Sequence, residues 1–350
     1  MKATYKKYIL EFKRPSGTSR GIMTHKETFF IILEQDKKFG IGECGILRGL
    51  SVDDVPDYEE KLKWTCDNID LGKDQLWEAL MHYPSIQFGV EQAFLSLNSE
   101  DPFLPFPSDF TQNNSPIAIN GLIWMGDEHF MHQQIRQKLE EGFKCIKLKI
   151  GAIDFDMEIA LLKSIRNKYS EREIELRVDA NGAFLPSEAM HKLERLSLFG
   201  LHSIEQPIKA GNAYEMKELC SNSPIPIALD EELIGITDVT EKEKLLQTIR
   251  PQYIILKPSL VGGFRGSMEW IKIAEKLNLK WWVTSALESN IGLNAIAQWT
   301  YTLDNPLPQG LGTGGLYTNN FECPLKVKNG TISYEQTGSW ENNLIENICI

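Results

Sequence analysis

Two hydrophobic patterns divide the chain. Residues 4–13 and 26–34 are rich in β-branched and aromatic side chains and predict two strands, joined by a Gly/Ser/Thr-rich connection at 15–21. A turn and short strand follow at 40–43, and then the period lengthens towards 3.6 over 52–97, with helices at 57–65 and 85–97. Three prolines within 101–107 mark a linker, because proline interrupts both helix and sheet.

After residue 115 short apolar runs alternate with longer amphipathic ones. Strands are predicted at 117–120, 145–149, 173–179, 202–205, 225–230, 253–257, 280–285 and 310–313. Helices are predicted between them at 128–141, 156–168, 186–196, 213–220, 237–249, 264–277 and 291–299. Strict alternation implies a parallel sheet, and eight strands suggest closure into a barrel. The other solution, an open doubly wound sheet, lacks its GxGxxG turn after an early strand.

Each apolar strand from the second to the sixth ends in a residue that a buried strand should avoid: Lys149, Asp179, Glu205, Asp230 and Lys257. The intervals are 30, 26, 25 and 27 residues, about one βα unit each. Equivalent positions on consecutive strands lie together at the C-terminal mouth of a barrel, where enzymes of this architecture carry their active sites.

Composition narrows the function. The 37 Lys+Arg against 48 Asp+Glu leave a net charge of −11, which disfavours nucleic acid because a phosphate-backbone binder needs clustered cations. A local cation can still draw in a small anionic substrate. Cys44, Cys66, Cys145, Cys220, Cys323 and Cys349 form no CxxC pair and read as reduced thiols of a cytoplasmic protein. The N-terminal residues lack an apolar signal segment, and no run approaches the roughly 18 apolar residues of a membrane span. The expectation is a soluble protein with no membrane partner.

Three unpaired carboxylates at one mouth would repel and could not all stay ionised. A hard divalent cation resolves this, and an all-oxygen set suits Mg²⁺, with Mn²⁺ as a substitute. Lys147 and Lys149 share a strand face, and Lys257 lies across the mouth from them. Facing ammonium groups should depress one another's pKa values, and a lysine tuned towards neutrality can act as a base. Such an inventory suits removal of a proton α to a carboxylate, with the cations stabilising the enediolate. Arg177 and Asn181 flank Asp179 at period 2, so both either enter the same cavity or tie neighbouring strand ends together.

Several segments carry a resemblance to a known family. They are Lys147-Leu148-Lys149, Arg177-Val178-Asp179-Ala180-Asn181, Ile204-Glu205-Gln206-Pro207, Ala228-Leu229-Asp230-Glu231, Lys257-Pro258-Ser259-Leu260-Val261-Gly262-Gly263 and Ser285-Ala286-Leu287-Glu288-Ser289. In order and spacing the chain resembles the enolase superfamily, in its muconate-cycloisomerase-like subgroup, and within that the o-succinylbenzoate synthase family of menaquinone biosynthesis. The resemblance implies an α/β fold: a (β/α)7β modified TIM barrel at 113–319, with an N-terminal α+β capping domain at 1–112 completed by 320–350. It implies catalytic Lys149 and Lys257 and magnesium ligands Asp179, Glu205 and Asp230. The implied reaction is a lyase step, the syn dehydration of 2-succinyl-6-hydroxy-2,4-cyclohexadiene-1-carboxylate to 2-succinylbenzoate. In it Lys149 takes the α proton and returns it to the leaving hydroxyl, while Lys257 stays cationic against the ring. Lys147 would hold the substrate carboxylate and lower the pKa of Lys149, and Ser285 would line the succinyl end. Ser16, Gly17, Thr18 and Ser19 fall where the family closes a lid, and residues 45–50 resemble its second specificity loop.

An N-succinyl or N-acyl amino acid racemase shares this inventory, because lysines on both faces of a substrate permit proton return from the opposite side. Dipeptide epimerases resemble one another in an acidic pair on the eighth strand, where this chain reads Gly310-Leu311-Gly312-Thr313-Gly314-Gly315. Mandelate-racemase-type chemistry would want a late histidine base, and none of the six histidines falls there. The His129/His132 pair reads as solvent-facing. A barrel degenerated into a binding protein should have lost at least one of the five strand-end residues.

Overall fold

The computed structural model describes residues 1–18, 21–124 and 126–349. The chain opens with an antiparallel sheet of β1 (Lys2–Thr18), β2 (Gly21–Gln35) and β3 (Lys38–Cys44). Helices α1 (Tyr58–Asp67), α2 (Gly72–Ala79) and α3 (Pro84–Asn98) pack on one face of it, and a single turn, α4 (Asp109–Gln112), leads out. Both faces of β2 are covered. Phe29, Ile31 and Leu33 face the helices, while Phe30 and Ile32 meet Ile291, Phe321, Leu344 and Ile348. Two covered faces explain why this strand reads as a continuous apolar run rather than an alternating one. Helix α3 presses close to β3: a Cβ on Gly42 would lie 1.9 Å from the Gly89 carbonyl oxygen, so only glycine permits the contact.

A short strand β4 (Ile117–Ala118) precedes the parallel layer. That layer alternates β5 (Gly121–Ile123), α5 (Glu128–Glu140), β6 (Cys145–Lys149), α6 (Phe155–Arg166), β7 (Glu175–Asp179), α7 (Pro186–Ser197), β8 (Ser203–Glu205) and α8 (Ala213–Asn222). It continues through β9 (Ile227–Leu229), α9 (Val239–Ile249), β10 (Tyr253–Leu256), α10 (Gly263–Lys276), β11 (Lys280–Val283) and α11 (Asn290–Thr302). The seven strands β5 to β11 pair in sequence order, all parallel, as a curled sheet. The tail adds β12 (Leu325–Lys328), β13 (Thr331–Tyr334) and α12 (Leu344–Cys349).

Two predicted strands differ from the structure. Residues 117–118 pair antiparallel with β13 of the tail, so the first barrel strand starts later, at Gly121. The eighth strand is reduced to parallel bridges, Ile119 to Gln309 and Thr284 to Gly310. Its glycines explain the weakness, since glycine offers a strand no side chain to pack and costs backbone entropy. The ring is nevertheless drawn together there: a Cβ on Gly310 would lie 2.0 Å from Thr284 Oγ1.

One buried carboxylate docks the two layers. Glu91 of α3 accepts the Phe264 amide at 2.6 Å and the Arg265 amide at 3.3 Å, at the start of α10. Burial pushes its pKa up to about 7, more than those amides pull it down. The folded protein therefore holds this proton more tightly than the unfolded chain. The contribution favours folding below pH 4.5 and is lost as pH rises to 7, on the order of 3 kcal/mol. Glu91→Gln keeps an acceptor for both amides and removes the titration. Thermal unfolding between pH 5 and pH 8 should show the variant gaining on the wild type as pH rises.

Candidate active site

Parallel register decides where the charged strand ends meet. Lys149 pairs with Asp179, and Asp179 pairs with Glu205, so three consecutive strands present these side chains in one layer. Asp230 and Lys257 each follow the last residue of the next two strands. The chain then leaves β7 and β8 through left-handed backbone, at Asn181 (φ 43°) and Gln206 (φ 40°), which turns it sharply away from the mouth. All five residues converge on the C-terminal mouth.

The mouth opens into a cavity of about 580 Å³, lined by Lys147, Lys149, Asp179, Asn181, Lys257 and Ser285 among others. Glu205 and Asp230 lie beneath these lysines, with 3% and 2% of their side chains exposed. Lys147 Nζ stands 2.9 Å from Asp179 Oδ2 and also donates to Glu205. Lys149 Nζ reaches Asp179 Oδ2 at 3.1 Å and Asn181 Oδ1 at 2.7 Å, and Lys257 donates to Asp230. Asn181 is itself oriented by donating to Glu231 Oε1 at 3.0 Å.

The electrostatics follow from these pairs. Burial pulls the Lys147 ammonium down, but Asp179 and Glu205 outweigh it and hold it above the ordinary lysine value. Lys257 is held up in the same way, by Asp230 and then Glu205 against the pull of burial. The depression expected of Lys257 is thus overridden, because the neighbouring carboxylates outweigh both burial and the Lys147 charge. Asp179 is held far below the usual carboxylate range: Lys147 and Lys149 overcome the upward push of burial. Glu205 goes the other way, to about 8, through burial and the neighbouring Asp179 charge.

The donor set fits a hard divalent cation. Glu205 Oε1 is buried with no hydrogen-bond partner, beside two further buried carboxylates, which is the arrangement a metal would complete. Among the described residues no three His, Cys, Asp or Glu side chains form a ready-made cage, since lysines bridge the acids. His129 and His132 lie on α5 and contribute to no such group.

Arg177 does not reach the cavity. It is two residues deeper in β7 than Asp179, so it lies in the barrel interior at 1% exposure. There it bonds Glu175 Oε1 at 2.7 Å and the Pro308 carbonyl at 2.9 Å, and stacks over Trp282 at 4.3 Å. Of the two alternatives for this residue, it is the strand-tying one that the contacts match. Ser285 does line the cavity, and its hydroxyl meets that of Thr313 at 2.6 Å.

The N-terminal antiparallel sheet and the loop after it supply the far wall. Lys13, Arg14, Pro15, Ile22 and Met23 come from the β1–β2 hairpin, and Leu47, Arg48, Gly49 and Leu50 from the loop after β3. The hairpin is longer than the loop predicted at 15–21. Ser16, Gly17 and Thr18 continue β1, opposite Met23, Ile22 and Gly21, because the pairing resumes after a register shift. Ser19 lies outside the described residues. Trp124 also lines the cavity, which the sequence pattern did not signal, since the strand before it starts four residues later than that pattern suggested.

Comparison with known proteins settles the family. A family profile described as "Enolase C-terminal domain-like" matches residues 131–338. The chain belongs to the enolase superfamily. Within the superfamily it is 45% identical to the o-succinylbenzoate synthase of Desulfotalea psychrophila, across 95% of this chain and 98% of that protein. The crystal structure of MenC from Desulfotalea psychrophila LSv54 superposes with a TM-score of 0.85 at 42% identity, covering 95% of this chain and 99% of that one. A dipeptide epimerase from Enterococcus faecalis V583, solved with Mg and the dipeptide L-Leu-L-Tyr, shares the fold at a TM-score of 0.83 and 17% identity, over 96% and 97% of the two chains.

Proposed function

We propose that this chain is an o-succinylbenzoate synthase, a lyase that converts 2-succinyl-6-hydroxy-2,4-cyclohexadiene-1-carboxylate to 2-succinylbenzoate in menaquinone biosynthesis. The observation that carries the reading is the strand-end layer of Lys149, Asp179 and Glu205, with Lys257 beside it. It occurs in a chain 45% identical to such a synthase over 95% of its length. We read residues 113–319 as the barrel that does the chemistry, and 1–112 with 320–350 as the cap over it.

Asp179, Glu205 and Asp230 would hold Mg²⁺, or Mn²⁺ in its place. Bound there, the cation would supply Lewis-acid stabilisation to a substrate carboxylate whose α-carbon is losing a proton. Lys149 removes that proton and returns it to the 6-hydroxyl, which leaves as water from the same face; the two lost groups account for the aromatic product. Asn181 Oδ1 orients the Lys149 amine. Lys147 places a second cation beside the carboxylate end, and Lys257 keeps a positive charge near the ring, where it adds a cation–π contribution. Three lysines balance three acids, so a dication would leave the mouth positive towards a dianionic substrate. The β1–β2 hairpin, with Ser16, Gly17 and Thr18, would close over the mouth and exclude water from the enediolate.

A cytoplasmic location fits Cys44, Cys66, Cys145, Cys220 and Cys323, all free thiols. Purified protein with Mg²⁺ should convert the cyclohexadiene acid to the aromatic product, followed by absorbance; no aromatic product would overturn the reading. One observation favours a second activity: Lys149 and Lys257 both line one cavity, as racemisation of an N-succinyl amino acid requires.

A further inference from the structure

Lys26 is a buried lysine that the site described above does not use. It lies on β2 at 3% exposure, and among the described residues its Nζ makes no hydrogen bond. Two fully buried carboxylates act on it, Glu43 and Glu288. Thr28 shares the Lys26 face of β2, about 7 Å along the strand, and its hydroxyl donates to Glu43 Oε1 at 2.9 Å.

Glu288 grips the wall of the cavity, and Glu43 grips the residues that follow it. Glu43 Oε1 accepts the Ser289 amide at 2.9 Å, and its Oε2 accepts the Ser289 hydroxyl at 2.5 Å and the Gly292 amide at 2.9 Å. Glu288 Oε2 accepts the Ala286 amide at 2.7 Å, and its Oε1 accepts the hydroxyl of Ser259, two residues beyond Lys257. Between these anchors Leu287 is held at φ 63°, an uncommon conformation for leucine, with Tyr317 donating to its carbonyl at 2.7 Å. Ser285, Ala286 and Leu287 line the cavity.

We propose that Lys26 is a positioning residue of the active site: its buried ammonium balances Glu43 and Glu288, so that both carboxylates keep the 285–287 wall in its strained shape. Two carboxylates buried together without a cation cannot both stay ionised. One would take a proton, give up an acceptor and release part of the turn. Burial already presses Lys26 downward and Glu288 upward, and each opposes the shift of the other. The cation belongs to the strand whose tip forms the cavity's far wall, so lid and wall share one electrostatic anchor.

The test compares wild type, Lys26→Met and the double variant Lys26→Met/Glu288→Gln. The double variant removes one charge of each sign, and the glutamine can still accept from Ala286 and donate to Ser259. Hydrogen exchange is read on the 285–292 amides, and KM and kcat on the cyclohexadiene acid. The kinetic arm rests on the synthase reading; the exchange arm does not. Lys26→Met should speed wall exchange about tenfold and raise KM about tenfold, with kcat within threefold. The double variant should restore both. Unchanged exchange in Lys26→Met, or a double variant as loose as the single, overturns the proposal. Should Lys26→Met fail to fold, a folded double variant with native exchange supports it. Failure of both to fold overturns it, because the lysine then serves the whole fold. A wild type inactive on the acid sinks the synthase reading alone, and exchange still decides the role of Lys26.

Discussion

Lys149→Ala should lose roughly 10⁴-fold in kcat while unfolding within a few degrees of the wild type. The size follows from the double duty of this side chain. A positioned base or acid is worth roughly 10² to 10⁴ in rate, and a syn elimination asks one lysine to serve as both. Tolerance of the fold follows from the contacts. Asp179 keeps its 2.9 Å pair with Lys147, so no carboxylate is left buried alone. Lys149→Arg sharpens the result: it preserves the cation but cannot release a proton near neutral pH, so it should be as inactive as alanine. An active arginine variant would mean that Lys149 contributes charge and not proton transfer. Steady-state rates and thermal melts of the two variants measure both halves.

Removal of divalent cations should also abolish turnover, reversibly on return of Mg²⁺. The reason is the buried trio Asp179, Glu205 and Asp230, whose negative charge lies close to where substrate charge must build up. Asp230→Asn should raise the Mg²⁺ concentration needed for half-maximal rate on the order of 100-fold, since even groups outside the ligand set commonly cost 10- to 100-fold in metal affinity. Binding only to the folded state should raise the wild-type unfolding midpoint with added Mg²⁺. In Asp230→Asn that rise should vanish at the same concentration. Melting curves titrated with the metal give this readout without any turnover.

The strand-end charges were legible because burial penalises charge, so an acid or lysine ending an apolar run in five consecutive units demands a reason. Depth was harder to read. Period 2 placed Arg177 on the Asp179 face correctly, but not which layer of the barrel it occupies. Its partners Pro308 and Trp282 lie more than a hundred residues away. The boundary of the first barrel strand failed for the same cause, since residues 117–118 are claimed by β13 near the far end of the chain. The glycine-rich segment at 310–315 read as a strand by position but lacks the side chains to form more than bridges. Lys26 gave no signal at all. In His25-Lys26-Glu27 it looks like solvent-facing chemistry, and its 3% exposure follows from tertiary packing that the local sequence does not encode.

The most direct measurement pits the two chemistries open to this site against each other. It is the ratio of kcat/KM for dehydration of the cyclohexadiene acid to kcat/KM for racemisation of an N-succinyl amino acid, on one Mg²⁺-loaded preparation. The expected result is a ratio of about 100 or more in favour of dehydration, the level at which the transition state and not general reactivity sets the preference. Racemisation faster than dehydration, or no dehydration at all, would contradict the assignment.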